Sequence, residues 1–457
     1  MQSAAGVQSH EALELLKIRL GSRVVTSGPE LERVSRDTSR YAPIGEALAV
    51  VFPESTEDVS VALAWANQHR IPVSVRGAGT GLSGGAVAFE AGLVISLERM
   101  NHILHIDPVN RLADVQAGVI NGVLDKAVRE YGLFFAPDPA SSETSTIGGN
   151  IATNAGGLRC ISHGVTRDAI ASLEVVLADG SIINTGARTL KNVVGLDLTS
   201  LFVGSEGTLG IVTAATVRAK PIPEGTPHTF RASFDSVEDA SSAVTTIVNG
   251  PIATEVLELL DARSVEIIEE YQPSGLPTTG AATLIGQVVG NDSLSGAEAL
   301  VALCTEHGAI ETTVNQGDGL LEARRLANPA LNAKGLRVSC DVGVPIGELG
   351  AVFRGIEEIS RKHDRGISVV AHAGDGNLHP TVEAEDTEEG YAQAELVIHD
   401  ITRLALELGG TISGEHGIGA VKQQELSWQL SDATRAAQPA IKTALDPHHI
   451  LTPGRAL

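Results

Sequence analysis

The sequence predicts an α+β protein of more than one domain, on three observations. Its 457 residues are too many for one ordinary core. Strand-like and helix-like patterns both recur, and "ADGS" between two strand-like runs is a hairpin signal. A proline-containing break over 221–226 separates an N-terminal region from residues 227 to about 385, which again mix strands and helices. Composition agrees: 43% hydrophobic residues suffice for large cores, and 19% charged residues mark a globular chain.

The elements follow in order. Residues 10 to 21 carry Leu13, Leu15, Leu16 and Ile18 among charges, an amphipathic helix. "ALAVVFPEST" (47–56) is a short buried strand ended by Pro53. "TEDVSVALAWANQH" is a helix with Ser55 or Thr56 as its N-cap. "IPVSV" is a strand that runs into "RGAGTGLSGGAV", and "GLVISL" and "ILHIDPVNRLADVQAG" are further strands. "NGVLDKAVREYG" is a helix stopped by Gly132. After a glycine-rich stretch over 137–157 come the strands of "SLEVVLADGSIINTG". In the helix over 389–408, Leu396, Val397, Ile401, Leu404 and Leu408 keep the 3.6 period until Gly409-Gly410. No internal repeat is visible.

Several function classes drop out. The net charge is −23 and no Lys/Arg cluster stands out, which argues against a nucleic-acid partner. Cys160, Cys304 and Cys340 are odd in number, with no CxxC, so neither a zinc knuckle nor a disulfide framework is expected, and a reducing cytoplasm fits. The charged N-terminus is not a signal peptide. No apolar run of about 18 residues occurs, so no transmembrane segment is expected; membrane association would be peripheral or through a partner.

Three glycine-rich segments invite a ligand. "RGAGTGLSGG" contains GxG, but no clean helical period follows, which argues against a Rossmann fingerprint. A nest of backbone N–H groups cradling a pyrophosphate is the alternative to a plain turn. "PDPASSETSTIGGNIATNAGG" is long and polar for a connection, and "FVGSEGTLGI" is a third such segment. Together they suggest a large cofactor in an extended pose.

His372 and His379 lie seven apart in "VVAHAGDGNLHPTV". The glycines disfavour a helix there, and on a strand–turn–strand the two rings can converge. A catalytic zinc usually has three protein ligands, and Glu415 in "GEHG", flanked by glycines, is the candidate third. Two histidines and a carboxylate suit zinc or another divalent ion.

The ordered set "PVSVRGAGTGLSGG", "PDPASSETSTIGGNIATNAGG", "LKNVVGLDLTSLFVGSEGTLGI", "HAGDGNLH", "GEHGIG" and "LDPHHILTPGR" resembles the FAD-linked oxidases of the vanillyl-alcohol-oxidase (PCMH-type) superfamily. Within it the chain is similar to the D-2-hydroxyacid dehydrogenases, over residues 35 to 455. The resemblance implies a two-part PCMH-type FAD-binding domain plus a cap domain with an antiparallel sheet flanked by helices. It places residues 1–222 in the FAD-binding domain with an N-terminal helical arm, 223–417 in the cap carrying the metal site, and 418–457 in a helical segment returning to the FAD domain.

It further implies that Arg76, Gly77, Ala78, Gly79, Thr80, Gly81, Leu82 and Ser83 wrap the pyrophosphate of a non-covalent FAD. Pro137, Asp138, Thr146, Gly149, Asn150, Thr153, Asn154 and Gly157 contact the remainder, and Glu206, Gly207, Gly210 and Ile211 complete the pocket. His163 stands where the family has an aromatic residue. By the same resemblance His372, His379 and Glu415 hold a divalent metal, zinc foremost, His416 is the base, Asn377 lies near substrate and flavin, and Arg324 of "GLLEARRLANPAL" pairs with the substrate carboxylate.

The activity so implied is oxidation of a D-2-hydroxy acid to the 2-oxo acid, with hydride passing to flavin N5 and electrons to an external protein or quinone acceptor. By the resemblance, enzymes specific for D-2-hydroxyglutarate carry a threonine where this chain has Asn328 and a lysine where it has Ser339; the missing lysine argues against a diacid, "VSCDVGVPI" is closer to the D-lactate type, and Asn328 does not decide chain length. The rivals are glycolate or D-2-hydroxyglutarate oxidation, a non-redox FAD transferase of the alkyl-glycerone-phosphate synthase type, and a non-enzymatic flavin subunit. The transferase needs a lipid tunnel at a membrane, and no apolar amphipathic membrane helix is seen. A relay needs neither metal nor base. A homodimer is compatible with the sequence.

Overall fold

Among the described residues, apolar runs broken by turns fold into four sheets. The computed structural model describes residues 3–39, 42–335 and 337–457, with the backbone alone for 3–11. The chain forms two compact units: residues 1–155, 165–222 and 416–457 in the first, and residues 156–164 and 223–415 in the second.

The first unit opens with strands β1 (Val24–Val25), β2 (Ala49–Val51), β3 (Val73–Arg76) and β4 (Leu93–Ser96), in the order β1-β2-β4-β3. β4 runs parallel to both β2 and β3. Parallel neighbours need a crossover, and the helix Thr56–His69 connects β2 to β3. Ser55 is its N-cap, accepting from the Asp58 N–H at 3.3 Å. Val59, Ala62, Leu63 and Ala66 of this helix pack on Ala49, Val51, Leu93 and Ile95. Leu13 and Leu16 of the helix Ser3–Leu20 join that core, while Leu15 and Ile18 face solvent.

Strands β5 (Ile103–Asp107), β6 (Leu112–Gln116), β7 (Leu133–Phe134), β8 (Ile170–Val176), β9 (Ile182–Gly186), β10 (Ile211–Arg218) and β11 (Lys220–Pro221) follow. β7 and β11 form a two-stranded ribbon, and the others an antiparallel sheet in the order β5-β6-β10-β8-β9. The stretch 137–157 is not wholly irregular: it contains the short helix Ile147–Thr153, capped by Thr146. The last forty residues are held to β3. The Val73 N–H donates to Ile450 O at 2.7 Å, and the Thr452 N–H donates to Val73 O at 2.8 Å.

The second unit is one antiparallel sheet of β12 (His228–Phe234), β13 (Val256–Asp261), β14 (Ala282–Val288), β15 (Ala309–Gln316), β16 (Arg337–Ser339), β17 (Val342–Gly343), β18 (Ile367–His372) and β19 (Asn377–Glu383). The order is β15-β12-β14-β13-β18-β19-β16, with β17 also on β19. The period of two divides its faces. Leu257, Leu259, Val369, Ala371, Leu378 and Val382 enter one core, with the helices Val237–Val248, Ser293–Glu306, Leu349–His363 and Glu388–Glu407. Val256, Leu260 and Val370 enter the other, with the helices Ala262–Tyr271, Gly319–Arg325 and Ala327–Ala333.

The helix Glu388–Glu407 matches its expected span, but its apolar stripe is narrower. Val397 and Ile401 are buried, whereas Leu396 is 58% exposed, since it falls beside the stripe rather than on it. Among the described residues no helix is long and apolar enough to cross a membrane.

Candidate active site

The second face of the β13–β18–β19 region gathers the polar residues. Glu258 of β13 lies opposite His372 of β18, and His372 lies opposite Asn377 of β19. His379, opposite Val370, is one row along on the same face. The two histidines are thus diagonal neighbours across a hairpin, close enough for imidazoles to meet. Their ring centroids are 5.0 Å apart and nearly perpendicular, at 84°. The hairpin turn uses Gly376 at φ 80°, where a Cβ would also lie 2.1 Å from Val344 O.

Glu415 completes the group. Its Oε1 lies 3.3 Å from His379 Nε2 and 3.7 Å from His372 Nε2. One ligand atom from each of the three residues falls within 4.8 Å of the others. Burial disfavours charge on both His372 and Glu415, yet the neighbours outweigh it. Glu258 and Glu415 hold the His372 pKa well above the usual imidazole value, and His372 and His379 hold the Glu415 carboxyl well below the usual range. Burial pushes Asp375, in the turn, up to about 6 against the pull of His372. Two imidazoles and a carboxylate with ligand atoms this close together suit a divalent ion.

Asp341, fully buried, fixes the backbone that carries Glu415. Its Oδ2 accepts from the N–H groups of Gly414 and Glu415, each at 2.6 Å, and its carboxylate also accepts from Ser413 Oγ. Gly414 allows the approach of Asn377: a Cβ there would sit 2.2 Å from Asn377 Oδ1. That Oδ1 is buried without a hydrogen-bond partner, an orphan acceptor beside the histidines.

Arg324 and Arg325 separate sharply. Arg325 is exposed and pairs with Glu322. Arg324 is 8% exposed and its Nε donates to Glu258 Oε2 at 2.7 Å. Its Nη1 and Nη2 make no hydrogen bond among the described residues. Glu258 and Asp341 were missed by the sequence reading. The available signal was a carboxylate set among apolar residues, in "VLELLD" and "VSCDVGV". His163 meets another such residue: its Nε2 lies 2.8 Å from Oε1 of buried Glu255. Burial raises the Glu255 pKa, but His163 and Arg159 outweigh that and bring it below the ordinary value.

In the first unit, the loop after β3 presents donors. Arg76 is buried and its guanidinium donates to the carbonyls of Val34, Arg36, Gly77 and Ala78, while Thr38 bonds those of Gly79 and Gly81. The carbonyls of Gly77, Ala78, Gly79 and Gly81 are therefore engaged, whereas no N–H from Ala78 to Ser83 donates to a described residue. Such a run of unpaired N–H groups is an anion-binding concavity. Ser83 Oγ donates to the carbonyls of His416 and Gly417 at 3.0 and 3.1 Å, so the loop is tied to the start of the C-terminal segment.

Gly77 reaches Thr146. Beyond Thr146, Asn150 is 4% exposed and its Nδ2 has no partner, a donor suited to a flavin or adenine acceptor. Glu206 binds the start of the C-terminal segment: its two oxygens accept from Ile418 and Gly419 N–H at 2.8 Å each, and burial raises its pKa despite them. Ile211 lies in the core. Pro137 and Gly157 are buried, and Asp138, Thr153 and Asn154 are half-buried. The free N–H run and the orphaned amide fit FAD.

Residues 47–186 match the FAD binding domain family, and residues 228–456 match the family described as FAD linked oxidases, C-terminal domain. The chain is 42% identical to glycolate oxidase subunit GlcD of Bacillus subtilis over 415 residues, 89% of this chain and 88% of that one. It is 40% identical to D-lactate dehydrogenase of Archaeoglobus fulgidus over 420 residues, 90% and 92% of the two chains. Among solved structures, p-cresol methylhydroxylase with substrate bound matches at a TM-score of 0.81 and 17% identity, over 98% of this chain and 96% of that one. That likeness shows the fold, α+β and PCMH-type. By these matches, and by the loop and sheet that carry the family's motifs, the chain belongs to the FAD-linked oxidases.

Proposed function

We propose that this chain oxidises a D-2-hydroxy monocarboxylic acid, D-lactate first, to the 2-oxo acid. FAD bound at the 78–83 loop supplies the hydride acceptor, N5, and a divalent ion held by His372, His379 and Glu415, zinc foremost, supplies Lewis acidity. The observation that carries this reading is the convergence of the His372 and His379 Nε2 atoms on one oxygen of Glu415, on the sheet face that also holds Asn377 and that the helix carrying Arg324 covers.

Each side chain has a part. Arg324, anchored through Nε, offers its two Nη groups to the substrate carboxylate. Asn377 lines the site beside the two histidines, close to substrate and flavin. His416, next in the chain to Glu415, takes the hydroxyl proton as the C2 hydride leaves, so charge and electrons balance. The electrons then pass to an external protein or quinone. Asn328 and Ser339 are exposed, and Ser339 Oγ shares a 2.9 Å hydrogen bond with Thr381, so neither position offers a cation to a second carboxylate. Glycolate is the second reading, favoured by the 42% identity to a glycolate oxidase subunit.

The test is anaerobic mixing of the flavin-loaded protein with D-lactate, L-lactate, glycolate and D-2-hydroxyglutarate, followed at about 450 nm, where oxidised flavin absorbs. D-lactate is expected to bleach the flavin and L-lactate to leave it yellow. No bleaching by any D-2-hydroxy acid sinks the reading. A higher kcat/KM for glycolate than for D-lactate selects the second one.

A further inference from the structure

We infer that Glu258 is a positioning residue for both halves of the site: one oxygen sets which nitrogen of His372 faces the metal, and the other sets the plane of the Arg324 fork. The inference rests on the metal and substrate roles proposed above for those two residues. It adds a third group that touches neither ligand and orders both.

The geometry is specific. Glu258 lies in the central strand β13, flanked by buried Leu257 and Leu259, and has no exposed surface itself. Its Oε1 is 2.7 Å from His372 Nδ1, and its Oε2 is 2.7 Å from Arg324 Nε. The two contacts use different oxygens, so neither competes with the other. An ionised carboxylate only accepts, which requires a hydrogen on Nδ1 of His372. Nε2 is then the nitrogen left to face Glu415 and His379, the direction in which it points. A carboxylate behind a metal-binding imidazole orients the ring and raises its basicity.

The same carboxylate acts on Arg324. A guanidinium is planar, so an acceptor on Nε fixes the plane in which Nη1 and Nη2 lie. Those two donors make no other hydrogen bond among the described residues. A merely structural ion pair gains nothing from leaving both Nη groups undonated in a nearly buried side chain. The strand register explains why one residue serves two partners. Glu258 is directly opposite His372 in the sheet, and the helix Gly319–Arg325 packs on the same face through Leu320, Leu321 and Ala323.

The test uses the FAD-loaded full-length protein, stripped of metal and titrated with zinc against a chromophoric chelator. The variants are Glu258→Ala and the nearly isosteric Glu258→Gln, each checked for flavin absorbance and far-UV circular dichroism. Zinc affinity is expected to fall about 10- to 100-fold in Glu258→Ala and by less in Glu258→Gln, whose amide oxygen still accepts from Nδ1. At saturating zinc, KM for D-lactate is expected to rise in both, more than kcat falls, because neither holds Arg324 Nε. A purely structural role moves stability and leaves both readouts alone.

Folded variants with wild-type zinc affinity and KM overturn the inference while the metal reading stands. A wild-type protein that binds no zinc overturns both. Should neither variant fold, ¹⁵N imidazole NMR of the zinc-loaded wild type decides: a protonated Nδ1 and a zinc-bound Nε2 on His372 are expected, and zinc on Nδ1 overturns the inference.

Discussion

His416→Ala is expected to slow anaerobic flavin reduction by D-lactate about 100- to 10,000-fold, the range for loss of a general base. That is roughly 3–5 kcal/mol of transition-state stabilisation. The flavin should stay bound, because the hydrogen bond linking residue 416 to Ser83 uses the His416 carbonyl, which alanine retains. Zinc content should also persist, because the ligand atoms belong to His372, His379 and Glu415. The check is stopped-flow reduction with and without added imidazole: partial recovery with imidazole is expected of a missing base. A rate within twofold of wild type removes His416 from the chemistry.

Arg324→Ala is expected to act twice. It removes the Nε donor from Glu258, leaving a fully buried carboxylate with His372 as its remaining hydrogen-bond partner. Breaking one side of a buried ion pair destabilises by about 3–5 kcal/mol, so the second unit should unfold at clearly lower denaturant. It also removes both Nη donors offered to the substrate carboxylate. Charged hydrogen bonds are worth about 1.5–3 kcal/mol each, so kcat/KM for D-lactate should fall by at least about tenfold. Arg324→Lys should not restore it, since an ammonium cannot reach Glu258 and fork a carboxylate at once. Unchanged denaturation midpoint and kcat/KM contradict both roles.

The histidine hairpin was legible because its signal is local. Glycines between His372 and His379 disfavour a helix and permit a tight turn, and the observed pairing then puts both rings on one side. That no helix follows "RGAGTG" was legible for a similar reason, since the residues after it lack a helical period and remain coil. The partners that order the site were not legible. Glu258 meets His372 across 114 residues and Arg324 across 66, and no local pattern announces a strand register at that distance. Asp341 likewise reaches Gly414 and Glu415 only after β17 has paired with β19. Between Arg324 and Arg325, periodicity alone does not say which faces the sheet; that is decided by the packing of Leu320, Leu321 and Ala323. Leu396 shows the same limit in reverse, as an apolar residue whose place on the helix leaves it in solvent.

The central claim is that the His372–His379–Glu415 group works on the hydroxy acid through a bound metal. The most direct measurement is the rate of anaerobic flavin reduction by D-lactate in protein treated with a chelator but still carrying its FAD. Loss of a Lewis acid that prepares a hydroxyl for deprotonation should slow reduction at least about 100-fold, and one equivalent of zinc should restore it. A stripped protein that reduces its flavin at the untreated rate contradicts the claim.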